Sequence, residues 1–277
     1  LKVAPPARSI PRFDLDAALL EAARSQGTVA LEETEVREVR RRDGGFEVVT
    51  PSRTFTCTAM INASGRWSRL TQPEAASSSS SGARWIGIKA HFREAHPPAS
   101  VDLYFFPGGY CGVQPVGADA VNACAMVRSD VARTLPEVFA RHGELRRRSE
   151  DWEPLFPAVA TSGLIFRESA TEDDGAILVG DAAGFIDPFA GDGISLALHS
   201  GTLAAECLLG VLGAGTTLAE AHVRYRAGYM ERFAPAFRNA ARLRRLLDAP
   251  AWIKPALLRF AGIGPLARFI LHGTRAR

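Results

Sequence analysis

The chain has only four cysteines in 277 residues, and no two of them form a CxxC pair. Cys57, Cys111, Cys124 and Cys207 stand far apart in apolar, strand-like or helix-like settings. That spacing argues against a paired-cysteine metal site and against a disulfide frame. The four read as reduced core thiols of a cytosolic protein. An uninterrupted apolar run of about 20 residues is also missing, so no transmembrane helix is expected. No signal-peptide pattern is visible. Charge of one sign is scarce: 33 basic residues against 30 acidic ones leave a formal net charge of +3. The longest basic runs, Arg40-Arg41-Arg42 and Arg146-Arg147-Arg148, read as solvated faces, and no nucleic-acid partner is expected. A Ser/His/Asp triad, a His/Glu metal pattern and a P-loop are absent as well.

What is present has the balance of a protein with a real core: 47% hydrophobic and 23% charged. Leu15–Arg24 carries apolar residues at helical spacing, with Asp14 as a candidate cap and Gly27 as a stop. Strands are predicted at Thr28–Leu31, Glu35–Arg40, Phe46–Thr50, Thr54–Cys57 and Ala59–Asn62, with a hairpin turn at Asp43-Gly44-Gly45. Thr71–Gly82 is polar and low in complexity, and reads as a connection. Beyond it, Arg84–Phe92, Val101–Phe106, Cys111–Val116 and Ala120–Arg128 are strands without intervening helices, the pattern of an antiparallel sheet. A helix is expected over Leu135–His142, a doubly covered strand over Ile177–Gly180 and a helix over Gly193–Leu212. From Leu218 onward the pattern is helical, cut by Pro235, Pro250, Pro255 and Pro265. Its Arg- and Leu-rich face reads as packed on the domain, with peripheral contact to a membrane surface as the alternative.

One junction concentrates the chemistry: ILVGDAAGFIDPFAGDGISLALHSG, Ile177 to Gly201. It places Asp181 at the carboxyl end of a buried strand, the edge of an open α/β sheet where ligands sit. A carboxylate there accepts hydrogen bonds and suits a polyol. Gly180 and Ala182-Ala183-Gly184 keep the neighbouring space empty. Asp187-Pro188 stiffens the turn. Gly191-Asp192-Gly193 then opens a helix whose first amides lack intrahelical partners and carry partial positive charge. Such a helix tip suits an anionic or electron-accepting ring oxygen.

These residues resemble the second FAD-binding motif of the flavoprotein monooxygenases related to p-hydroxybenzoate hydroxylase, and of the geranylgeranyl reductase family. The resemblance implies that Gly180 and Asp181 bind the ribitol, and that the loop with Pro188, Gly191, Asp192 and Gly193 lies against the isoalloxazine ring. Arg12-Phe13-Asp14-Leu15-Asp16 resembles the family's Arg-x-x-Leu-Asp helix start, which assigns Arg12 to the phosphate or ribityl region of FAD. Ile61-Asn62-Ala63-Ser64-Gly65 resembles the strand end near the ADP part, which assigns Ala63 and Gly65 to the cofactor. Many members have Asp where this chain has Ser64. The family opens with strand, GxGxxG and helix, and no GxGxxG occurs here. The chain also starts Leu1-Lys2-Val3, without methionine. The expectation is therefore an FAD-binding Rossmann-like α/β fold without its first βαβ unit, with an antiparallel-sheet substrate domain and C-terminal helices. The expected boundaries are 1–70 and 171–212 for the two FAD-binding parts, 71–170 for the substrate domain and 213–277 for the helical region. A parallel sheet short of its central strands should leave apolar edges bare.

The aromatic stretch Leu103–Gly112 contains Phe106-Pro107, like the lipid-lining strand of the geranylgeranyl reductases. Tyr104, Phe106 and Tyr110 are candidate substrate-lining residues. Lys89 and His91 share a parity in WIGIKAHF and read as a solvated face. The function expected from the resemblance is that of an FAD-dependent oxidoreductase acting on an apolar small molecule. The reaction is monooxygenation or hydride delivery to a carbon–carbon double bond, with NAD(P)H as reductant. The alternative is a non-catalytic remnant that binds an apolar ligand or a partner.

Overall fold

A computed structural model describes residues 10–66, 70, 84–161, 164, 169–186, 188, 191–213 and 215–247. Helix α1 spans Arg12–Ser25 and ends before Gly27. Its N-cap is Pro11 with no side-chain cap, so Asp14 is not the cap; it sits inside the first turn, where its charge complements the helix dipole. Thr28–Leu31 forms no strand: Val29 is 83% exposed, and no neighbouring strand pairs with it among the described residues. An antiparallel meander follows, β1 (Glu38–Arg42), β2 (Gly45–Val49) and β3 (Thr54–Cys57). Arg42 pairs with Gly45 across the Asp43-Gly44 turn, which fixes the register. The strand β4 is short, Ile61–Asn62.

The chain divides into two compact units, leaving the first after Ser78 and returning to it at Ile165. Residues 2–31, with α1, group with the second unit rather than with the segment that follows them. The second unit holds β5 (Trp85–Arg93), β6 (Asp102–Phe106), β7 (Gly109–Pro115) and β8 (Ala120–Arg128). With β9 (Glu153–Pro154) and β10 (Val159–Thr161) they make a six-stranded sheet in the order β10-β5-β8-β7-β6, β9 pairing with β5. Every pairing in it is antiparallel.

Alternation decides which face of this sheet is core. Ile88, Ala90 and Phe92 of β5 share a face with Val121, Ala123, Ala125 and Val127 of β8. Cys111, Val113, Tyr104 and Phe106 join them from β7 and β6. Against this face lie α2 (Leu135–Phe139) and α3 (Gly143–Arg148), through Leu135, Val138, Phe139 and Leu145. The single helix expected over Leu135–His142 is thus two. Its break falls where the His142 ring Nδ1 accepts the Leu145 N–H and caps α3.

Arg148, at the end of α3, is the charged anchor of this unit. Its guanidinium donates to both carboxylate oxygens of Glu94 (2.8 and 3.0 Å), to Asp102 (2.7 Å) and to the Tyr104 hydroxyl (3.0 Å). Burial would push its pKa down, but its hydrogen bonds to Glu94, Tyr104 and Asp102 overcome that and raise it. Only 13% of the Arg148 side chain is exposed. Removing the cation strands two carboxylates. Arg148→Met is expected to cost about 3–5 kcal/mol of unfolding free energy, read by urea denaturation; a cost under about 1 kcal/mol, the scale of an exposed pair, would show the cluster to be ornamental.

The first unit continues with β11 (Glu172–Asp173), β12 (Ala176–Leu178), α4 (Gly193–Gly213), α5 (Leu218–Arg232) and α6 (Ala234–Leu247). β12 lies between β11, antiparallel to it, and β4, parallel to it. All three β12 residues are buried, as a doubly covered strand requires. A capping box of Thr217 and Glu220 starts α5. Ala221, Tyr225, Tyr229 and Phe233, four residues apart, carry its buried face. Ala236 and Ala240 of α6 are buried in the same cluster, which is the packing read from the sequence for the C-terminal helices. Pro235 falls in the first turn of α6. The segments around Pro250, Pro255 and Pro265 lie outside the described residues.

α4 has the length and composition of a membrane span, with a mean hydropathy of 1.4 over its most apolar window. It nonetheless carries His199 and Glu206, and it buries Leu196, Ser200, Leu203, Ala204, Cys207 and Leu208 within its own unit. Its outer stripe, Ile194, Leu198, Leu209 and Leu212, is exposed, as is Ile61 of β4 at 39%. Of the thiols, Cys111 and Cys207 are buried, Cys57 is half-buried and Cys124 is exposed, so Cys124 is not a core residue; all four are free.

Candidate functional site

The parallel register sets the site. Ile177 pairs with Ile61 and Leu178 with Asn62, and the Val179 N–H donates to the Asn62 carbonyl. Both strands therefore end at one edge, and Ala63-Ser64-Gly65 emerges beside Gly180-Asp181. Buried Asn62 shapes the first of these turns: its Oδ1 accepts from the Ser64 backbone N–H at 3.0 Å and from the Ser64 hydroxyl. Ala63 is exposed. Gly65 has φ +78°, and a side chain added there would meet nothing within 4 Å.

After β12 the chain makes a 3-10 turn over Gly180–Ala182. Gly180 has φ +57°, and a Cβ on it would lie 3.1 Å from the Ala197 Cβ. Its N–H donates to the Ser200 hydroxyl at 2.9 Å, and that hydroxyl donates to the Ala197 carbonyl at 3.1 Å. Ser200 is wholly buried. The turn is thus clamped onto α4 through one serine and two small residues. From α5, the Tyr225 hydroxyl donates to the Leu178 carbonyl at 2.7 Å.

Asp181 is half-buried at the strand end. Arg66, just past Gly65, packs its guanidinium 4.2 Å from the Phe185 ring centroid. Burial lowers the Arg66 pKa, and the Asp181 carboxylate partly offsets this. The carboxylate at the β12 end and the cation at the β4 end are thus electrostatic neighbours. Tyr229 also lies within reach. Its hydroxyl is pushed up to about 12 by burial, with the nearby Ser169 side chain lowering it and Asp181 adding a further rise.

The helix tip is open. Gly191, at φ +71°, is exposed, and Asp192 and Gly193 are half-exposed. A Cβ at Gly191 or Gly193 would meet nothing within 4 Å. The Asp192 carbonyl accepts the Leu196 N–H, so the helix proper starts at this point. Pro188 is exposed; Asp187, Phe189 and Ala190 lie outside the described residues. A flat group can approach the backbone here, and a polyol can reach Asp181. On these observations the residues present fit FAD at its ribitol and ring.

The remaining candidates are placed as follows. Arg12 lies on α1, in the grouping of the second unit, and pairs with Asp16 at 2.9 Å. Tyr104 and Phe106 face the core of the six-stranded sheet at 8% and 6% exposure. Tyr110 lies on the opposite face beside Phe105. Two recesses, of about 360 and 310 Å³, flank the β1–β2 turn. Their arginines are already engaged, Arg42 with Glu47 and Arg41 with the Asp174 carbonyl, so they read as surface relief. Sequence reasoning gave no role to Asn62, Arg66, Phe185, Tyr225 or Tyr229. The position of Arg66 directly after the Ala-Ser-Gly turn was the one available signal.

Two outcomes test this geometry. Gly180→Ala must hold a left-handed backbone and press on Ala197; about 1–2 kcal/mol of destabilisation is expected from the backbone alone, and an unchanged melting temperature would contradict the clamp. Tyr225, like Tyr229, is raised by burial. Free phenols ionise near 10, so above about pH 10 the unfolded chain releases protons that the native chain keeps. This part of the stability is complete below pH 10 and is lost as pH rises through about 12. Urea midpoints should fall across that window, less steeply in Tyr229→Phe; equal slopes in the two proteins would show that Tyr229 titrates as in water.

No family model matches the chain. It is 28% identical over 154 residues to a digeranylgeranylglycerophospholipid reductase of Methanopyrus kandleri, a match covering 53% of this chain and 39% of that protein. It is 27% identical to the menaquinone reductase of Mycolicibacterium smegmatis over 94% of this chain and 67% of the relative. The chain thus spans well under half the length of the Methanopyrus reductase. Among solved structures, a flavin-dependent brominase superposes over 100% of this chain and 73% of its own, with TM-score 0.78 and 20% identity. A geranylgeranyl bacteriochlorophyll reductase-like protein from Thermoplasma acidophilum covers 86% of this chain and 64% of its own, with TM-score 0.68 and 20% identity. The chain has the fold of the FAD-binding flavoproteins it superposes on, and its sequence is similar to digeranylgeranylglycerophospholipid and menaquinone reductases.

Proposed function

We propose that the protein is an FAD-dependent oxidoreductase that reduces a carbon–carbon double bond in an apolar small molecule, with NAD(P)H as the reductant. The observation that carries the flavin part is the shared strand edge: Asp181 beside Gly65, with the open helix tip at Gly191–Gly193. Asp181 would accept hydrogen bonds from ribitol hydroxyls. The amides at the start of α4 would face the electron-accepting side of the ring. When bound, FAD supplies the hydride carrier; the chain's part is to hold, orient and shield it. The relatives named as reductases incline the reading towards reduction rather than hydroxylation.

No glycine-rich diphosphate loop is among these 277 residues. The strand end and helix tip must therefore supply whatever affinity this chain has for FAD. Weak binding is expected, with Kd above roughly 1 µM (about −8 kcal/mol), read by quenching of flavin fluorescence. Asp181→Ala should weaken it at least about tenfold, one lost charge-assisted hydrogen bond. No binding in the wild type at millimolar FAD, or equal binding by Asp181→Ala, would remove the motif from the cofactor site. With flavin bound, NADPH consumption without peroxide release under air favours the reductase; peroxide release favours oxygen chemistry. Absence of NADPH consumption leaves the non-catalytic, ligand-binding reading.

A further inference from the structure

Helix α4 buries one side in the core of the first unit and leaves the other bare. Ile194, Leu198, Leu209 and Leu212 are exposed, the last two by 68% and 70%. At about 100° per residue they fall on one side of the helix, with Gly201 and Ala205 between them. Ala205 is exposed, and a Cβ added at Gly201 would meet nothing within 4 Å. The stripe therefore has large side chains towards both ends and a shallow saddle in the middle. Beside it runs a polar edge, His199, Thr202 and Glu206, spaced three and four residues apart and all exposed.

This order is symmetric. About Leu203 as centre, Ile194 and Leu212 stand nine residues to either side, Leu198 and Leu209 five and six, and Gly201 and Ala205 two. The polar edge shares that centre, with His199 four residues before it and Glu206 three after. A helix face that reads alike in both directions matches an antiparallel copy of itself. A two-fold axis beside Leu203 sets Ile194 against the partner's Leu212, Leu198 against Leu209, and saddle into saddle, so the backbones can approach closely. The same axis carries the polar edge of one chain onto that of the other, and His199 then meets Glu206 twice, once in each direction. Neither a bilayer surface nor an unrelated protein requires a stripe that repeats itself backwards.

We propose that the protein self-associates as a two-fold dimer through antiparallel packing of α4 against α4, the apolar stripe making the contact and the His199–Glu206 pairs fixing its direction. The helix has 21 residues and is about 31 Å long. One helix pair lies at the small end of specific interfaces, below about 1,200 Å², so the dimer is weak and concentration-dependent. The stripe lies along the side of α4, whereas the amides at its tip point along its axis. The contact therefore stands independently of the flavin reading.

The test is sedimentation velocity on the full chain without flavin, across the micromolar range. The mass should rise from one chain towards two and stop there. Leu198→Glu and Leu209→Glu should each raise the dissociation constant at least tenfold. Gly201→Leu favours the helix by propensity but fills the saddle; it should weaken the dimer as much without lowering the melting temperature of the dilute protein. His199→Glu should weaken it too, and adding Glu206→His should restore it. In a Cys124→Ser background, Thr202→Cys, the polar-edge position nearest the axis, should cross-link to itself under copper-phenanthroline oxidation, and Ile194→Cys should not. A chain that stays monomeric, a dimer indifferent to Leu198→Glu and Gly201→Leu, a double variant no better than His199→Glu alone, or self-cross-linking through Ile194→Cys would each overturn the proposal. Vesicle binding by a monomeric chain, abolished by Leu198→Glu, would overturn it in favour of a membrane surface. A failed FAD titration alongside a two-fold dimer would sink the cofactor reading and leave this one standing.

Discussion

Two residues of parallel pairing hold the candidate site together. Ile177 against Ile61 and Leu178 against Asn62 are a small contact, yet they force two distant segments to end at one edge. A parallel pair this short cannot stand by itself in water. It persists because β12 is covered: Tyr225 of α5 donates to the Leu178 carbonyl, and Ser200 of α4 takes the Gly180 N–H. The helices thereby set the height and direction of the strand end, and with it the position of Asp181.

That constraint explains the small residues around the junction. Gly180 turns left-handed where Ala197 leaves no room for a side chain, while Gly191 and Gly193 are bare on the open side. Glycine thus serves two opposite purposes within fourteen residues, close contact with protein at one and access for a flat ligand at the others. Charge is arranged with similar economy. Asp181 has Arg66 for a neighbour, itself held over Phe185. An anion and a cation at adjacent strand ends suit a ligand with both a polyol and a charged part.

The second unit shows the other use of buried charge. Glu94, Asp102 and Arg148 satisfy one another and the Tyr104 hydroxyl, and they tie a short helix to two strands. On the opposite face the buried Oδ1 of Asn122 has no hydrogen-bond partner among the described residues.

The sequence alone determined much of the local structure. Alternation placed β5 and β8, helical spacing placed α4, and the Gly-Asp and Gly-Asp-Gly pattern marked the strand end and helix tip, because these signals are carried by neighbouring residues. It placed Tyr104 and Phe106 near a ligand, whereas the fold packs them under α3, since parity says that two residues share a face but not which face is covered. It put Lys89 and His91 on a solvated face, while tertiary pairing set Asn122 and Gln114 beside His91, and Cys124 beside Lys89. Only the tertiary structure could bring Gly65 and Arg66 to Asp181 over more than a hundred residues. Register between distant strands is fixed by what packs above and below them, and no local pattern encodes that.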